Sequence, residues 1–299
     1  MKLLNKPGLT VALLFMVVGM ATAQQKVDRT FSGINKVTMS ISSGDAFFEK
    51  SADGKVYLAL EHDIDDYEPT IEQKGSTLVI NEEKMKNRRS WSGDSKWTIK
   101  VPDEVNISFN TGSGDVQISG LMADLSTNSG SGNTRIENSD GKIRVNTGSG
   151  NIRARESKGD LTFNAGSGNI DLYAVNAEVS ANVGSGNVSA EKLTLLGKSS
   201  FNSGSGDVEV SLAATPAYDI SVNSGSGDST LDFEGNKIEG VVVMEANKDN
   251  GDIDAPFDFD STEEVGNGRN TTVKKTKKIG SSDVRIKVST GSGTAEIKS

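Results

Sequence analysis

The chain has 299 residues, with 33 glycines, 5 prolines, no cysteine, one histidine and a formal charge of −9 at pH 7. An apolar content of 34% and an aromatic content of 5% are low for one thick globular core, and the lack of cysteine excludes disulfides. The acidic balance argues against a nucleic-acid partner, because phosphate binding needs clustered Lys and Arg.

The N-terminus has the pattern of a secretory signal peptide over residues 1–23. Lys2 and Lys6 form a basic start, residues 11–20 are apolar, and Ala21-Thr22-Ala23 is a small-residue cleavage site. We expect cleavage after Ala23, which leaves 30 basic and 41 acidic residues and a formal charge of −11. The apolar run is too short for a membrane span and no second run follows. The prediction is an exported protein of the periplasm, the cell surface or the medium.

The segment 24–105 contains strand-like runs without a strict period. In VYLALEHD, STLVINEE and KWTIKVP, apolar and polar residues alternate, as in strands with one buried face. Ser43-Gly44-Asp45 is a degenerate copy of the turn motif that dominates the next segment. We expect an irregular N-terminal β cap.

The segment 106–231 is a tandem repeat. Two alternating apolar residues precede each turn and two follow it, which predicts two short strands per period. The first intervals between turns are eighteen residues, and the later ones are twenty and twenty-one. A fixed period of this length predicts an all-β solenoid, although a hairpin meander could also be drawn. The Gly-Ser-Gly triplet of the turn starts at Gly112, Gly130, Gly148, Gly166, Gly184, Gly204 and Gly225.

Alignment of the copies produces two columns rich in Asn. In a β-helix such columns stack at about 4.8 Å, where Asn side chains can hydrogen-bond to their copies and hold the corners together. Each Asn of the first column directly follows an inward residue and should therefore face solvent, but a corner can break the alternation, so the sequence leaves open whether the Asn faces the interior or solvent. The first column, before the turn, is Asn110, Asn128, Asn146, Asn164, Asn182, Asn202 and Asn223. The second, after the turn, is Asp115, Asn133, Asn151, Asn169, Asn187, Asp207 and Asp228.

The outward residues of the predicted strands are candidates for a binding face. A flat row of short hydroxyls could bind a glycan, another protein or ice; the alternative is that such residues only solvate an exposed sheet. The candidate column is Ser108, Ser126, Arg144, Thr162, Ser180, Ser200 and Ser221. A second strip is Gln117, Arg135, Arg153, Asp171, Ser189, Glu209 and Thr230.

The segment 232–299 contains GVVVMEA, an acidic run and a closing turn copy at Gly291. We expect a C-terminal cap, so that residues 24–299 form one elongated domain. The acidic segment 249–264 is the best candidate for a hard cation, but it lacks the EF-hand spacing, and a solvated acidic loop is the alternative.

No catalytic, cofactor or metal site is predicted. The Gly-Ser-Gly turn lacks the Lys-Ser/Thr of a phosphate-binding loop, and calcium-binding rolls need glycine-rich turns in both halves of a coil. His62 is the only histidine, and we expect it in solvent rather than in a catalytic triad. Trp91 and Trp97 could stack on a sugar ring, although packing within the cap is the expected role.

With FSGINKV near the mature start, WTIKVP before the first copy and VSTGSGTAEIKS at the end, the chain resembles a family of exported bacterial β-strand-repeat proteins of unknown function. These proteins are described as adhesin-like and are related to head GIN adhesin-like domains. The resemblance covers nearly all of residues 30–299. It implies a right-handed single-stranded β-helix with about 18–21 residues per coil and capped ends.

Resemblance and residues together predict a non-enzymatic module that binds a glycan, an envelope polymer or a surface protein weakly and at many points. A periplasmic scaffold or envelope-stress accessory without a small ligand is the alternative. A carbohydrate-active enzyme is a third hypothesis, since paired carboxylates suffice for glycoside hydrolysis. The oligomeric state stays open.

Overall fold

The computed structural model describes residues 25–82, 93–268 and 271–299, and within these ranges it is all-β without an α-helix. The predicted signal peptide and Trp91 lie outside the described residues. The first strands are β1 (Gln25–Ser32), β2 (Lys36–Ile41), β3 (Asp45–Lys50), β4 (Lys55–His62), β5 (Thr70–Lys74), β6 (Thr77–Asn81) and β7 (Ser95–Val101).

The repeat contains β8 (Asn106–Thr111), β9 (Val116–Ser119), β10 (Leu125–Ser131), β11 (Thr134–Glu137), β12 (Asp140–Ser149), β13 (Ile152–Arg155), β14 (Lys158–Ser167), β15 (Ile170–Tyr173), β16 (Asn176–Ser185), β17 (Val188–Leu195), β18 (Ser199–Ser203), β19 (Val208–Leu212), β20 (Ile220–Ser224) and β21 (Ser229–Asp232). The last strands are β22 (Gly240–Asn247), β23 (Gly251–Asp254), β24 (Ser261–Val265), β25 (Thr272–Ile279), β26 (Arg285–Thr290) and β27 (Gly293–Lys298).

The strands of the repeat form two parallel stacks. Each coil contributes one strand to sheet B, where β10 pairs with β8 and β12, and one to sheet A, where β11 pairs with β9 and β13. Residues pair with their copies one period away, as Asn128 does with Asn110 and Asn146. A hairpin meander would give antiparallel neighbours. The prediction of an all-β, solenoid-like fold is confirmed.

The core is a thin column between the two sheets. Along each strand one residue points inward and the next outward, so the inward residues stack in columns. Each coil can bury its apolar face only against its neighbours, which is why a low apolar content is sufficient here. The buried column of sheet B is Phe109, Thr127, Val145, Phe163, Ala181, Phe201 and Val222. That of sheet A is Ile118, Ile136, Ala154, Leu172, Ala190, Val210 and Leu231.

The spatial order of the coils departs from their sequence order at both ends. Strand β2 pairs with both β6 and β8, and β3 pairs with both β7 and β9. The degenerate turn copy Ser43-Gly44-Asp45, which connects β2 and β3, therefore lies inside the stack. Strand β26 lies between β20 and β22, and β27 between β21 and β23, so the closing copy is also interior. Both copies are therefore held by hydrogen bonds on two sides.

A buried polar cluster closes the N-terminal end of the stack. Here β4 pairs antiparallel with β1 and β7, and β5 pairs antiparallel with β6. The hydroxyl of Tyr67 donates to the buried carboxylate of Glu82, whose second oxygen accepts the backbone N–H of Ser42 at 2.6 Å. Burial and the neighbouring carboxylate raise the pKa of Tyr67 far above its usual range, so its hydroxyl stays a donor. Glu82 thus supplies the acceptor for the backbone N–H of Ser42 in the turn between β2 and β3.

The C-terminal end is covered by antiparallel strands with many surface ion pairs. Strand β25 pairs with β22 and β24. Lys277 and the backbone N–H of Lys278 hold the pKa of the Asp260 carboxyl below its usual range. Nζ of Lys274 lies 3.7 Å from a carboxylate oxygen of Glu263. Nζ of Lys248 lies 2.7 Å from a carboxylate oxygen of Glu264. Three acids of the segment 249–264 are therefore ion-paired with lysine.

Steric contact between coils explains the glycines of the turn. A Cβ at Gly130 would lie 2.6 Å from the backbone oxygen of Gly112, and a Cβ at Gly132 would lie 2.1 Å from that of Gly114. Gly132 has a positive φ of 118°, a backbone conformation that favours glycine. Gly130 is not among the positive-φ residues. Close stacking of the backbones, not the φ angle, therefore fixes the first glycine of the triplet.

The return corner of the regular coils is also a repeated backbone feature. A non-glycine residue with φ near 50° recurs there: Asn138, Glu156, Ala174 and Lys192. The N–H of Glu156 donates to the carbonyl oxygen of Tyr173 in the next coil at 3.0 Å, and that of Ala174 to Glu191 at 2.9 Å. Left-handed backbone costs about 1–2 kcal/mol for such residues, which the inter-coil hydrogen bonds offset.

Substitutions at the two corners should have opposite effects on stability. Gly130→Ala forces a methyl group against the Gly112 carbonyl, and we expect the free energy of unfolding to fall by about 2 kcal/mol. Ala174→Gly removes left-handed strain, and we expect no loss and a gain of up to about 1 kcal/mol. Denaturant unfolding of the two variants and the parent measures both changes. A Gly130→Ala variant as stable as the parent would contradict the stacking argument.

Candidate binding face

The predicted hydroxyl column lies on the outer face of sheet B. Strand register places its members in one row, in which Arg144 is exposed and the others are half-buried: Ser108, Ser126, Arg144, Thr162, Ser180, Ser200 and Ser221. The second strip, from Gln117 to Thr230, lies on sheet A, across the Gly-Ser-Gly corner. The two strips therefore belong to different surfaces.

The first Asn column lies on the same outer face, two residues further along each strand. The Nδ2 of each Asn donates to the Oδ1 of the Asn one coil earlier, over 2.7 to 3.0 Å in six successive pairs from Asn110 to Asn223. All six bonds point the same way along the solenoid. The hydroxyl of Ser289 donates to Oδ1 of Asn223 at 2.5 Å and extends the row. These side chains face outward, as strict alternation requires.

Most coils of this row retain an unused donor. A carboxamide nitrogen carries two hydrogens, and the ladder uses one of them. Nδ2 of Asn182 and of Asn223 also reaches the hydroxyl of its own coil, Ser180 or Ser221. Within the described ranges, Nδ2 makes only its ladder bond in Asn128, Asn146, Asn164 and Asn202, and Nδ2 of Asn110 makes no hydrogen bond. Three of these donors, on Asn128, Asn146 and Asn164, lie in adjacent coils at a spacing of about 4.8 Å.

An open groove of about 540 Å³ runs beside this part of the Asn row. It is lined by Asn128, Asn146, Asn164 and Asn182 and by residues of the adjoining turns, including Gly148, Gly166 and Gly184. Because the glycines carry no side chain, a trough lies next to the carboxamides. The groove spans four coils along the solenoid axis, a shape that suits an extended polymer.

The second column has a different chemical role. The Oδ1 of each residue accepts the backbone N–H of its counterpart in the next coil, as Asn169 does from Asn187 at 2.9 Å and Asp207 does from Asp228 at 2.9 Å. The series continues through Asp228, which accepts the N–H of Thr294 at 2.7 Å. Only an acceptor is needed, so Asp and Asn serve equally. The first column needs both a donor and an acceptor, and it contains only Asn.

Two further candidates lie in the N-terminal cap. The expectation that His62 is solvated is wrong, because its side chain is 2% exposed and its ring centre lies 4.8 Å from that of Tyr67. Its Nδ1 lies 3.2 Å from the carbonyl oxygen of Ile64. Trp97 is fully buried and its ring meets Tyr67 edge-on at 6.4 Å, so it packs in the cap and cannot stack on a sugar.

The described part of the chain brings no three His, Asp or Glu side chains together in a way that could hold a metal ion. The described residues contain no helix that is long and apolar enough to cross a membrane.

These features define an all-β repeat protein with a solenoid-like body, capped ends and an outward carboxamide ladder. The chain belongs to the Toastrack DUF4097 family, whose pattern matches residues 34–255. The resemblance to an adhesin-like family of unknown function is thereby confirmed.

Two solved structures of similar fold illustrate this relationship. One, from Bacteroides fragilis, is described as a putative adhesin; it is 17% identical, with a TM-score of 0.50 over 93% of this chain and 98% of the other. Another, from Parabacteroides distasonis, is described as a putative lipid binding protein; it is 21% identical, with a TM-score of 0.53 over 73% and 92% of the two chains. Such identities show the fold alone. No curated protein matches this chain significantly.

The two columns should respond differently to the same chemical change. In Asn169→Asp the Oδ1 acceptor for the Asn187 N–H remains, and we expect the free energy of unfolding to stay within about 0.5 kcal/mol of the parent. In Asn164→Asp the donor to Asn146 is lost and two acceptor oxygens face each other, and we expect a loss of about 1–2 kcal/mol. Denaturant unfolding at pH 7 compares the variants. Equal losses would show that the distinction between the columns is wrong.

Proposed function

We propose that this chain is an exported, non-enzymatic, adhesin-like module that binds a linear glycan or another hydroxyl-rich envelope polymer along the sheet B groove. The observation that carries the proposal is the row of unused N–H donors on Asn128, Asn146 and Asn164 beside the groove. Sugar hydroxyls are acceptors for such donors. The hydroxyl column next to the row supplies further donors and acceptors.

Binding by such a face is weak at each coil and gains strength by repetition. One neutral hydrogen bond contributes about 1 kcal/mol net, so affinity depends on several coils engaging one polymer. The adhesin description of the Bacteroides fragilis protein agrees with this role. The lipid binding named for the Parabacteroides distasonis protein would suggest an acyl ligand, but carboxamides along the groove favour a polar polymer.

The finer architecture belongs to the same proposal. Strands β10 and β12 are parallel neighbours connected through β11 in the other sheet. Connections of this kind are right-handed in about 98% of proteins, which supports a right-handed β-helix formed by one chain. Residues 24–299 would then act as one elongated domain.

Blocking the face should abolish retention on the polymer. Thr162→Trp places a large ring in the hydroxyl column, whereas Ser189→Trp places the same ring on the outer face of sheet A. We expect the parent and Ser189→Trp to be retained on immobilised cell-envelope polysaccharide. We expect Thr162→Trp to bind this polysaccharide with an affinity at least about tenfold lower, and therefore to elute early. Far-UV circular dichroism controls for folding. No retention of the parent on any glycan or envelope fraction would refute the proposal.

Export is proposed from the signal-peptide pattern of residues 1–23. We expect the purified mature protein to begin at Gln24, as measured by N-terminal sequencing or intact mass. Protease treatment of intact cells, with a periplasmic protein as control, then separates surface from periplasm. Degradation would place the face outside the cell. Full protection would favour the scaffold or envelope-stress role over adhesion, and an uncleaved N-terminus would contradict export.

A further inference from the structure

One coil of the repeat differs from its neighbours in charge. Residues 140–157 include Lys142, Arg144, Arg153 and Arg155 against two acids, Asp140 and Glu156, and therefore carry a net charge of +2. The coils on either side, 122–139 and 158–175, each carry −1. A cationic coil thus lies at the groove, within an acidic chain.

Three of the four cations in this coil have partners. Lys142 lies 3.0 Å from a carboxylate oxygen of Asp160, and Arg153 lies 3.0 Å from one of Asp171. The guanidinium of Arg155 lies over the ring of Tyr173, 5.5 Å from its centre.

Arg144 is the exception. It is exposed, and within the described residues its side chain has no ion pair, hydrogen bond or aromatic contact. It interrupts the hydroxyl column between Ser126 and Thr162, and it precedes the groove residue Asn146 by two positions on the same face. The stacking of the coils does not require an arginine here, since serine or threonine occupies the position in the other six coils.

We propose that Arg144 recognises a carboxylate and that the polymer taken by the groove is an acidic glycan with widely spaced uronic acids. This inference rests on the proposed function. A free guanidinium can bind a carboxylate through two parallel hydrogen bonds. The unused Nδ2 donors of Asn128, Asn146 and Asn164 then bind hydroxyls of the sugars on either side.

The charges around Arg144 limit the density of anions on the polymer. The outward column beside Arg144 contains Asp124, Lys142 and Asp160 in successive coils; Asp160 is paired with Lys142, so the column keeps a net charge of −1. A polymer with a carboxylate on every sugar would bring anions next to these acids in successive coils, which lie about 4.8 Å apart. With a carboxylate on alternate sugars, a neutral sugar faces each of these acids. The site therefore selects an alternating acidic polymer.

The test uses the full mature protein and three soluble polymers. Hyaluronan carries one carboxylate per disaccharide, its carboxyl-reduced form carries none, and polygalacturonate carries one on every sugar. Binding is measured by calorimetry or biolayer interferometry at fixed ionic strength. We expect hyaluronan to bind about tenfold tighter than its reduced form, as for a charge-assisted hydrogen-bonded pair. We expect polygalacturonate to bind more weakly than hyaluronan.

The decisive variant is Arg144→Ser, which restores the residue found in most coils of the column. We expect it to lose the preference for hyaluronan, so that it binds hyaluronan and the carboxyl-reduced polymer with equal affinity. The matched control is Arg153→Ser, which removes the same charge from the same coil on sheet A and should stay within about twofold of the parent.

The outcomes separate this inference from the function on which it rests. Equal affinity of the parent for hyaluronan and its reduced form overturns the role of Arg144 but leaves glycan binding standing. Equal losses of hyaluronan affinity in Arg144→Ser and Arg153→Ser also overturn the role of Arg144, because the net charge of the coil would then explain the binding. If polygalacturonate binds more tightly than hyaluronan, the inferred preference for a carboxylate on alternate sugars is refuted. If the parent binds none of the polymers, both proposals fail for this class of glycan.

Discussion

At each Gly-Ser-Gly corner the backbone of one coil lies against the backbone of the next, with no room for a Cβ on the first or third residue. This contact fixes the register of the stack, because a shift by one residue would place a side chain where only glycine fits. Fixed register brings every residue onto its own copy. The buried columns, the outward Asn row and the Oδ1 bonds to backbone N–H groups all follow from that superposition.

The two polar columns beside the corner show how one geometry supports two kinds of chemistry. After the turn, a side-chain oxygen replaces a missing backbone acceptor, and either Asp or Asn can supply it. Before the turn, each side chain must donate to one neighbour and accept from the other, which a carboxamide can do and a carboxylate cannot. The second hydrogen of that carboxamide is left over. A structural ladder therefore produces a row of donors facing solvent without any residue being added for binding.

The periodic features of the fold could be predicted from sequence, and the features that depend on distant partners could not. The eighteen-residue period predicts the coils, their strands and their columns, because each is a local pattern repeated. The interior position of β2 and β26 depends on pairing between segments far apart in the chain. The burial of His62 depends on Tyr67 and on the cap around it. The regular return corner has no signal in the sequence, because its residues share a φ angle and no chemistry: Asn138, Glu156, Ala174 and Lys192. The groove itself requires the three-dimensional stacking of glycines beside carboxamides.

Residues that depart from the repeat pattern have different consequences at inward and at outward positions of the coils. Inside, Thr127 and Thr134 replace apolar residues and bury hydroxyls that have no hydrogen-bond partner in the described structure. Each such group costs about 1–3 kcal/mol, so an inward departure consumes stability that the stack must supply elsewhere. Outside, a departure such as Arg144 leaves the register untouched, since neither packing nor the ladder uses that side chain. A solenoid can therefore vary its outer face one coil at a time while its corners stay constant. The stability of such a protein resides in the residues that keep the pattern, and the outward residues that break it can vary independently.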